Sequence, residues 1–321
     1  MLGIGILGAA GIAPQALIRP ARRRDDVKVL AVASRRANAA DAYAAEHGIA
    51  VAHHRYEDLL ADPAVDVVYN ALPPSLHAEW SIRAVRAGKH VLCEKPAALD
   101  PQQAQAMTEA AAQAGRVLIE AFHDHYHPVL QHAVAAAREG QIGQVRRLEG
   151  TFTAPIPFDP SSIRHDPAVG GGALLDLGCY PVHWLRAVAG TEPIVTAASA
   201  SPNELGADQQ IEAELAFADD LTGRIFASMG QAFASSLVIT GSGGRIEIEN
   251  PVLPHRGHSV RTVLDGVEHT STIGGRETYD YQLDAVVAAI QDGQTPATSG
   301  QDIVANAALI DAIYRQAGWR G

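Results

Sequence analysis

The chain has 321 residues and a formal net charge of -11, with 47% hydrophobic and 19% charged residues. At roughly 150 residues per domain this composition predicts two globular domains and excludes a disordered or fibrous chain. The 25 Lys and Arg against 36 Asp and Glu argue against a nucleic-acid partner, which needs a concentrated basic face.

The two cysteines and the amino terminus indicate the compartment. Cys93 and Cys179 are too few for a disulfide framework and have no metal-ligand spacing. The first residues are apolar but lack a basic leader, and no stretch reaches the roughly 18 apolar residues of a membrane span. We therefore expect a cytoplasmic protein without a membrane partner.

The first 121 residues alternate short β-branched runs with alanine-rich segments, which predicts successive βαβ units and a doubly wound parallel (Rossmann) sheet. The predicted strands are Leu2–Leu7, Val27–Ala33, Val65–Ala71, His90–Cys93 and Val117–Ala121. The helices between them include Ala37–His47 and His77–Ala87, the second ending at Gly88. Residues 1–121 are thus predicted to be a dinucleotide-binding domain.

Residues 122–321 show a different pattern, which predicts a substrate-binding and oligomerisation domain of α+β type. Its predicted elements are a helix at Val129–Glu139, strands at Val145–Thr153, Ile211–Phe217 and Gly223–Met229, and terminal helices at Tyr279–Gln291 and Gln301–Gln316. The alternating strands indicate a mainly antiparallel sheet. Such a sheet leaves a face or edge to be covered, so we expect a homodimer or homotetramer.

A glycine-rich loop follows the first predicted strand. The pattern G-x-G-x-x-G matches at Gly3, Gly5 and Gly8, but most of that match lies inside the strand. A loop that holds a pyrophosphate must follow the strand and open the helix, which moves the motif to Gly8, Ala10 and Ala13. A purely structural turn is the alternative interpretation. The cofactor-binding residues expected here are Gly8, Ala10, Gly11 and Ile12.

The end of the second strand indicates which dinucleotide is preferred. An Asp or Glu there would bind the ribose hydroxyls of NAD, whereas this chain has Ser34, Arg35 and Arg36. A hydroxyl and a guanidinium suit the 2′-phosphate of NADP. We expect NADP as the cofactor, with NAD as the alternative; the competing interpretation is that the two arginines only open a solvated helix.

Two motifs connect the chain to a known family. The stretch GKHVLCEKP places Lys95 at a strand end, where ligands of open α/β sheets bind. It resembles the signature of the glucose-fructose oxidoreductase, inositol dehydrogenase and rhizopine-catabolism (Gfo/Idh/MocA) family. The stretch Gly170–Trp184, GGGALLDLGCYPVHW, resembles that family's substrate-domain helix, and Ile163, Arg164 and Asp166–Pro167 resemble its dihydrodiol and aldose dehydrogenase branch.

The resemblance implies an NAD(P)-dependent enzyme that passes hydride between nicotinamide and a sugar or cyclic alcohol. In that family the Lys of the EKP motif acts with an Asp and with a Tyr or His four residues later; these roles fall on Lys95, Asp176 and Tyr180. The remaining expected cofactor contacts are Leu72, Pro73, His77, Glu94 and Lys95.

Helical geometry supports the second motif independently of the resemblance. At about 100° per residue, Asp176, Tyr180 and His183 lie within roughly 60° of one another on a helix. We expect Tyr180 to transfer the proton, Lys95 to lower its pKa and position the hydroxyl, and Asp176 to orient them, although Lys95 and Tyr180 could exchange roles. His183 and Arg164 are substrate-contact candidates.

One departure from the family pattern affects the expected pocket. After Phe122 the chain reads HDHYHP, where the branch usually has an aromatic residue and an Arg. His123 is therefore a further substrate candidate. In an extended segment, His123, His125 and His127 would share a face and could bind zinc or nickel, but domain-junction histidines more often form hydrogen bonds. We expect no metal.

The predicted function is an NADP-dependent oxidoreductase acting on a sugar, cyclic polyol or dihydrodiol. A non-catalytic NADP-sensing regulator is one alternative; it would need the Gly8 loop and Arg35 but not Lys95, Asp176 and Tyr180. The other is a glycosidase of the same superfamily that recycles bound NAD, which Arg35 disfavours.

Overall fold

The computed structural model describes residues 1–319 and divides the chain into two compact units. The first unit contains Met1–Phe122 and Tyr279–Val304, and the second contains His123–Thr278 and the residues from Ala305 onward. No helix within residues 1–319 combines the length and apolarity needed to cross a membrane.

The first unit is built on a parallel sheet. Its elements are β1 (Leu2–Leu7), α1 (Arg19–Arg22), β2 (Val27–Ala33), α2 (Ala39–His47), β3 (Val51–His53), α3 (Tyr56–Ala61), β4 (Val67–Asn70), α4 (His77–Arg86), β5 (His90–Cys93), α5 (Pro101–Ala114) and β6 (Leu118–Glu120). The six strands have the order β3-β2-β1-β4-β5-β6 and are all parallel. This confirms the predicted doubly wound fold and adds β3, a short strand at the sheet edge.

The carboxyl ends of the central strands are level. Leu7 is paired with Ala33 of β2 and with Asn70 of β4, and Asn70 is paired with Cys93 of β5. The residues that follow these strands therefore lie along one edge of the sheet, where ligands of such folds bind.

Gly3 and Gly5 belong to β1, as predicted, and serve packing. A Cβ atom on Gly3 would lie 2.0 Å from the carbonyl oxygen of Ala64, and one on Gly5 would lie 2.9 Å from Leu59 Cδ2. Both glycines let neighbouring chain approach the strand closely, so the literal G-x-G-x-x-G match is structural.

The predicted boundary of the second domain, 122–321, needs correction. Helix α8 (Thr278–Gln291) sends Tyr279, Leu283 and Val286 into the same hydrophobic core as Ile4 and Ile6 of β1. The sequence pattern identified this helix but could not show which sheet its apolar face covers. Residues 279–304 therefore belong to the first unit.

The second unit contains the larger sheet. Its elements are α6 (Pro128–Arg138), β7 (Val145–Thr153), α7 (Cys179–Ala189), β8 (Ile194–Pro202), β9 (Asp208–Ala216), β10 (Thr222–Ser228), β11 (Ala234–Gly241), β12 (Gly244–Glu249), β13 (Ser259–Leu264) and β14 (Val267–Ser271), with most of α9 (Gln301–Gln316). The strand order is β14-β13-β12-β11-β7-β10-β9-β8. The sheet is antiparallel apart from the parallel pair of β7 and β10.

Helix α7 lies directly on β7. A Cβ atom on Gly150 would lie 2.6 Å from Pro181 Cβ and 3.0 Å from Leu185 Cδ1, so only glycine allows this close approach. On the other face of the sheet, half-exposed charged side chains form ion pairs such as Arg224 with Glu212 at 2.7 Å.

The helix that carries the second motif begins with a wide turn. In a regular helix the ring of Pro181 would clash with the carbonyl of Leu177, so the sequence predicts a kink. The structure has a π-helical turn over Leu174–Gly178, immediately before α7. This turn alters the angular spacing between Asp176 and Tyr180 from that of a regular helix.

Candidate active site

The loop after β1 has the geometry of a dinucleotide loop. Gly8 has φ +94°, a backbone conformation that favours glycine, and its N–H donates to Ala33 O at 2.9 Å. A Cβ atom added to Gly11 would meet nothing within 4 Å, and Ile12 is 37% exposed. The loop is thus open at the start of the helical segment Pro14–Arg22, where backbone N–H groups suit an anion.

Two side chains hold the carbonyls of this loop. The Tyr43 hydroxyl donates to Ala10 O at 2.9 Å, and Arg36 Nη2 donates to Ala9 O at 3.4 Å. Burial raises the pKa of Tyr43 to about 12, so the phenol remains a donor. Sequence reasoning missed Tyr43, whose only signal was an aromatic residue in an alanine-rich helix.

The segment after β2 is ordered before its helix starts. Ser34 is buried and its Oγ accepts the Arg36 N–H at 3.3 Å. The Arg35 guanidinium lies 5.0 Å from the centre of the Tyr56 ring, a cation–π contact. Since α2 begins only at Ala39, both arginines lie in the turn that leaves the sheet edge and do not open the helix.

Two carboxylates fix the backbone on either side of Lys95. Glu94 accepts hydrogen bonds from the Tyr69 hydroxyl through Oε1 and from the Lys95 N–H through Oε2, the latter at 3.3 Å. Glu120 Oε1 accepts the Ala97 N–H at 2.8 Å. Lys95 therefore leaves the end of β5 from a tightly held segment.

The His77 ring is buried between two site segments; burial lowers its pKa to about 4, so the neutral ring donates to only one of them. The ring is 1% exposed, with Nδ1 lying 2.8 Å from Pro96 O and Nε2 lying 2.7 Å from Leu72 O. His77, which was predicted to contact the cofactor, therefore lies where it can position Leu72 and Pro96.

A buried carboxylate explains the Gly-Gly-Gly entrance of the second motif. Asp208 Oδ2 accepts the Leu174 N–H at 2.7 Å, and its Oδ1 accepts the Tyr314 hydroxyl at 2.8 Å. Gly172 has φ +130°, and a Cβ atom there would lie 2.0 Å from Asp208 Oδ1. Glycine lets the carboxylate reach the Leu174 N–H at the start of the helical segment, a favourable position for an anion.

Arg164 and Asp176 form an ion pair at 3.3 Å. The Gly172 N–H donates to Arg164 O at 2.9 Å, which holds the Arg164 loop beside the helical segment. The Arg164 side chain is 51% exposed and that of Asp176 is 17% exposed. The guanidinium side of the pair is half-exposed and therefore accessible to a ligand.

Three consecutive residues, His123–His125, are each bonded to α7; we call this segment the histidine strap. The contacts are His123 Nε2 with the Tyr180 hydroxyl at 3.2 Å, Asp124 Oδ2 with Trp184 Nε1, and His125 Nδ1 with His183 Nε2 at 2.9 Å. The strap thus fixes the helix face that carries Tyr180 and His183.

The three histidines considered as metal ligands have separate partners. His127 Nδ1 accepts the Val129 N–H at 3.2 Å and caps α6. Their ring nitrogens bond to Tyr180, His183 and Val129 respectively. His123, His125 and His127 therefore do not form the shared face that a metal site would need. Within residues 1–319 no group of three or more His, Cys, Asp or Glu residues is arranged to hold a metal ion.

The His125–His183 pair is uncharged near neutral pH. Burial lowers the pKa of His125 to about 4 and lowers that of His183 well below its usual value. One ring therefore donates an N–H to the other. His183 is better suited to hydrogen bonding than to accepting a proton.

The fold and these sites define a dinucleotide-binding oxidoreductase, and comparisons with known proteins agree. Residues 2–122 match the oxidoreductase family with an NAD-binding Rossmann fold (GFO_IDH_MocA), and residues 130–247 match the GFO/IDH/MocA C-terminal domain. The chain belongs to this family.

Several of its relatives cover nearly the whole chain. A D-xylose 1-dehydrogenase (NADP(+)) of Haloferax volcanii is 33% identical over 98% of this chain and 96% of the relative. A 3-ketoreductase from Actinomadura kijaniata, solved with NADP and TDP-benzene, has a TM-score of 0.90 and 29% identity over 98% of this chain and 97% of the other. The aldose-aldose oxidoreductase of Caulobacter crescentus, solved with glycerol, has a TM-score of 0.91 and 27% identity over 99% and 97%.

Proposed function

We propose that this protein is an NADP-dependent dehydrogenase or reductase that interconverts a hydroxyl and a carbonyl group of a sugar, cyclic polyol or dihydrodiol. The observation that carries the proposal is the position of Lys95. It follows β5 at the sheet edge that also bears the open Gly8 loop. The names of the xylose dehydrogenase and of the aldose-aldose oxidoreductase support the substrate class.

The residues along this edge fit a nicotinamide dinucleotide. The open loop of Gly8, Ala10, Gly11 and Ile12 would hold the pyrophosphate, and Ser34 and Arg35 would hold the 2′-phosphate. The remaining residues that would contact it are Leu72, Pro73, Glu94 and Lys95. When bound, the nicotinamide ring would accept or donate the hydride.

The side chains have distinct proposed roles in proton transfer. Tyr180 takes the proton of the substrate hydroxyl, and the Lys95 ammonium lowers the pKa of the phenol and positions that hydroxyl. Asp176 orients the reacting groups. Arg164 is the candidate substrate contact. His123 and His183 were also expected to contact substrate, but both are buried and their rings bond to Tyr180 and His125.

A polyol screen tests the function directly. The purified protein is incubated with NADP and a panel of aldoses, inositols, anhydrosugars and dihydrodiols, and reduced nicotinamide is followed by absorbance. We expect turnover with at least one member of the panel. Tight NADP binding without turnover of any member, in either direction, would instead favour a sensing regulator.

We expect Arg35→Asp to reverse much of the preference for NADP over NAD. A charge-assisted hydrogen bond is worth about 1.5–3 kcal/mol, or roughly 10- to 150-fold in relative affinity. Dissociation constants for both cofactors, measured by fluorescence titration, check this. Arg116→Asp is the matched control, because exposed Arg116 precedes β6 at the opposite edge of the sheet. Equal affinity of the unaltered protein for NAD and NADP would refute the assignment.

We expect the protein to form a homodimer or homotetramer. The sheet of the second unit has one face covered by α7 and another that carries half-exposed side chains, and its edge strand β14 is exposed along its length. Exposed edges and faces of this kind tend to be covered by association. Light scattering at micromolar concentration measures the mass directly; a monomer would contradict the expectation.

A further inference from the structure

The His123 ring joins two hydroxyl groups. Its Nδ1 lies 2.8 Å from the Thr278 Oγ1, and its Nε2 lies 3.2 Å from the Tyr180 hydroxyl oxygen. His123 is 3% exposed, Thr278 is 0% exposed and Tyr180 is 6% exposed. Both ring nitrogens are therefore engaged by groups of the second unit.

The burial of Thr278 determines where the imidazole proton lies. A neutral imidazole has one N–H donor and one acceptor nitrogen. If Nδ1 carried the proton, the buried Thr278 hydroxyl proton would have no acceptor in the part of the chain that the structure describes, which is unfavourable. If Thr278 donates to Nδ1, its proton is satisfied and the ring proton lies on Nε2.

From this geometry we propose that His123 is a positioning residue for Tyr180, its Nε2–H donating to the phenol oxygen while Thr278 fixes the ring tautomer. The inference rests on the proposed proton transfer by Tyr180. In this arrangement the Tyr180 proton points away from His123, and the oxygen keeps a donor in place when the proton leaves.

The other groups around Tyr180 leave the His123 N–H as an important hydrogen-bond donor to its oxygen. The Phe152 ring of β7 packs at 5.5 Å from the Tyr180 ring and offers no charge. The nearby titratable groups have other partners: Asp124 accepts from Trp184, His125 pairs with His183, and Asp176 pairs with Arg164. A hydrogen bond to the charged form of a group favours that form, so the contact lowers the pKa of Tyr180.

The tautomer can be measured in the native, cofactor-free protein. Imidazole ¹⁵N shifts distinguish a protonated from an unprotonated ring nitrogen, and the His123 signals are assigned by their loss in His123→Gln. We expect Nε2 to be protonated and Nδ1 to be unprotonated at neutral pH. The opposite tautomer would overturn the proposal, and this measurement requires no variant to be active.

Phenol titration tests the consequence of the contact. Tyrosines labelled with ¹³C at Cζ report each phenol, and the Tyr180 signal is assigned by Tyr180→Phe. Removing the donor in His123→Leu is expected to raise the pKa of Tyr180 by about 1 to 2 units, whereas His123→Gln, which retains an N–H donor, is expected to restore most of the native value. Thr278→Ser should match the native protein, since it keeps the hydroxyl.

The matched control is His132→Leu. His132 lies on α6 and is not one of the residues that contact Tyr180 in the described part of the chain. It should leave the Tyr180 titration unchanged. An unchanged Tyr180 pKa in folded His123→Leu, verified by its amide spectrum, would overturn the proposal.

Kinetics test the proposed role of Tyr180, whereas the tautomer and phenol titrations test the role of His123. In active enzyme, the rising limb of the kcat–pH profile for alcohol oxidation should move to higher pH in His123→Leu, and kcat near neutral pH should fall about 10- to 100-fold. If Tyr180→Phe retains full turnover, the proposed role of Tyr180 fails. The tautomer and phenol titrations would still decide whether His123 donates to Tyr180.

Discussion

Replacing Lys95 with methionine is expected to lower kcat by about 10³-fold or more. Methionine keeps the length of the side chain but removes the ammonium group, which we propose makes the Tyr180 phenolate accessible near neutral pH. The fold should persist, because the segment is held by backbone contacts to Glu94 and Glu120, which do not involve the ammonium. Steady-state kinetics with the best substrate of the polyol screen would measure the loss.

The chain has few lysines, so the charge state of Lys95 can be followed by NMR. Lys28, Lys89 and Lys95 are its only lysines, so ¹³Cε-labelled protein gives three signals from which the pKa of Lys95 can be read with and without cofactor. Lys28→Met, at an exposed position of β2, is the control for loss of one positive charge. Native-like turnover of Lys95→Met would remove Lys95 from the mechanism.

Replacing Tyr180 with phenylalanine is expected to lower kcat by about 10²- to 10⁴-fold, the usual contribution of a general acid–base group. The phenyl ring keeps its packing against Phe152, so the substitution removes the hydroxyl, including its contact with His123. The dissociation constant for NADP should barely change, because the proposed cofactor contacts lie in the first unit. Stopped-flow hydride transfer and a fluorescence titration measure the two quantities separately.

The double variant tests whether the two residues act together. If Lys95 and Tyr180 act on one proton, Lys95→Met combined with Tyr180→Phe should be little worse than the more damaging single variant. Multiplicative losses would indicate independent roles. Near-native turnover of Tyr180→Phe would transfer the proton-accepting role to Lys95 or another group; the low pKa of His183 makes it a poor candidate.

Local sequence patterns predicted the bounds of several elements, because each pattern depends on residues only a few positions apart. The strands at Leu2–Leu7, Val27–Ala33, His90–Cys93 and Val145–Thr153 have the predicted bounds. The position of the dinucleotide loop after β1 followed from the rule that the loop leaves a strand and opens a helix.

Contacts between distant segments could not be predicted in this way. His123 and Tyr180 are 57 positions apart, and His123 and Thr278 are 155 apart. No periodicity relates such residues, so the histidine strap was visible only as a departure from the family pattern. Pro181 predicted a kink, but helix spacing assumes a constant 100° per residue and could not show that the kink is a π-helical turn over Leu174–Gly178.

The return of α8 to the first unit affects how the chain matures on the ribosome. The amino-terminal sheet is translated by Phe122, but the helix that fills its core with Tyr279 and Leu283 comes only after the intervening His123–Thr278. Those 156 residues take roughly 8 to 30 s to synthesise at about 5–20 residues per second. Throughout this interval the nascent residues up to Phe122 are expected to carry an uncovered apolar surface, which is the kind of surface that chaperones bind. Completion of the dinucleotide-binding unit is therefore coupled to synthesis of nearly the entire polypeptide.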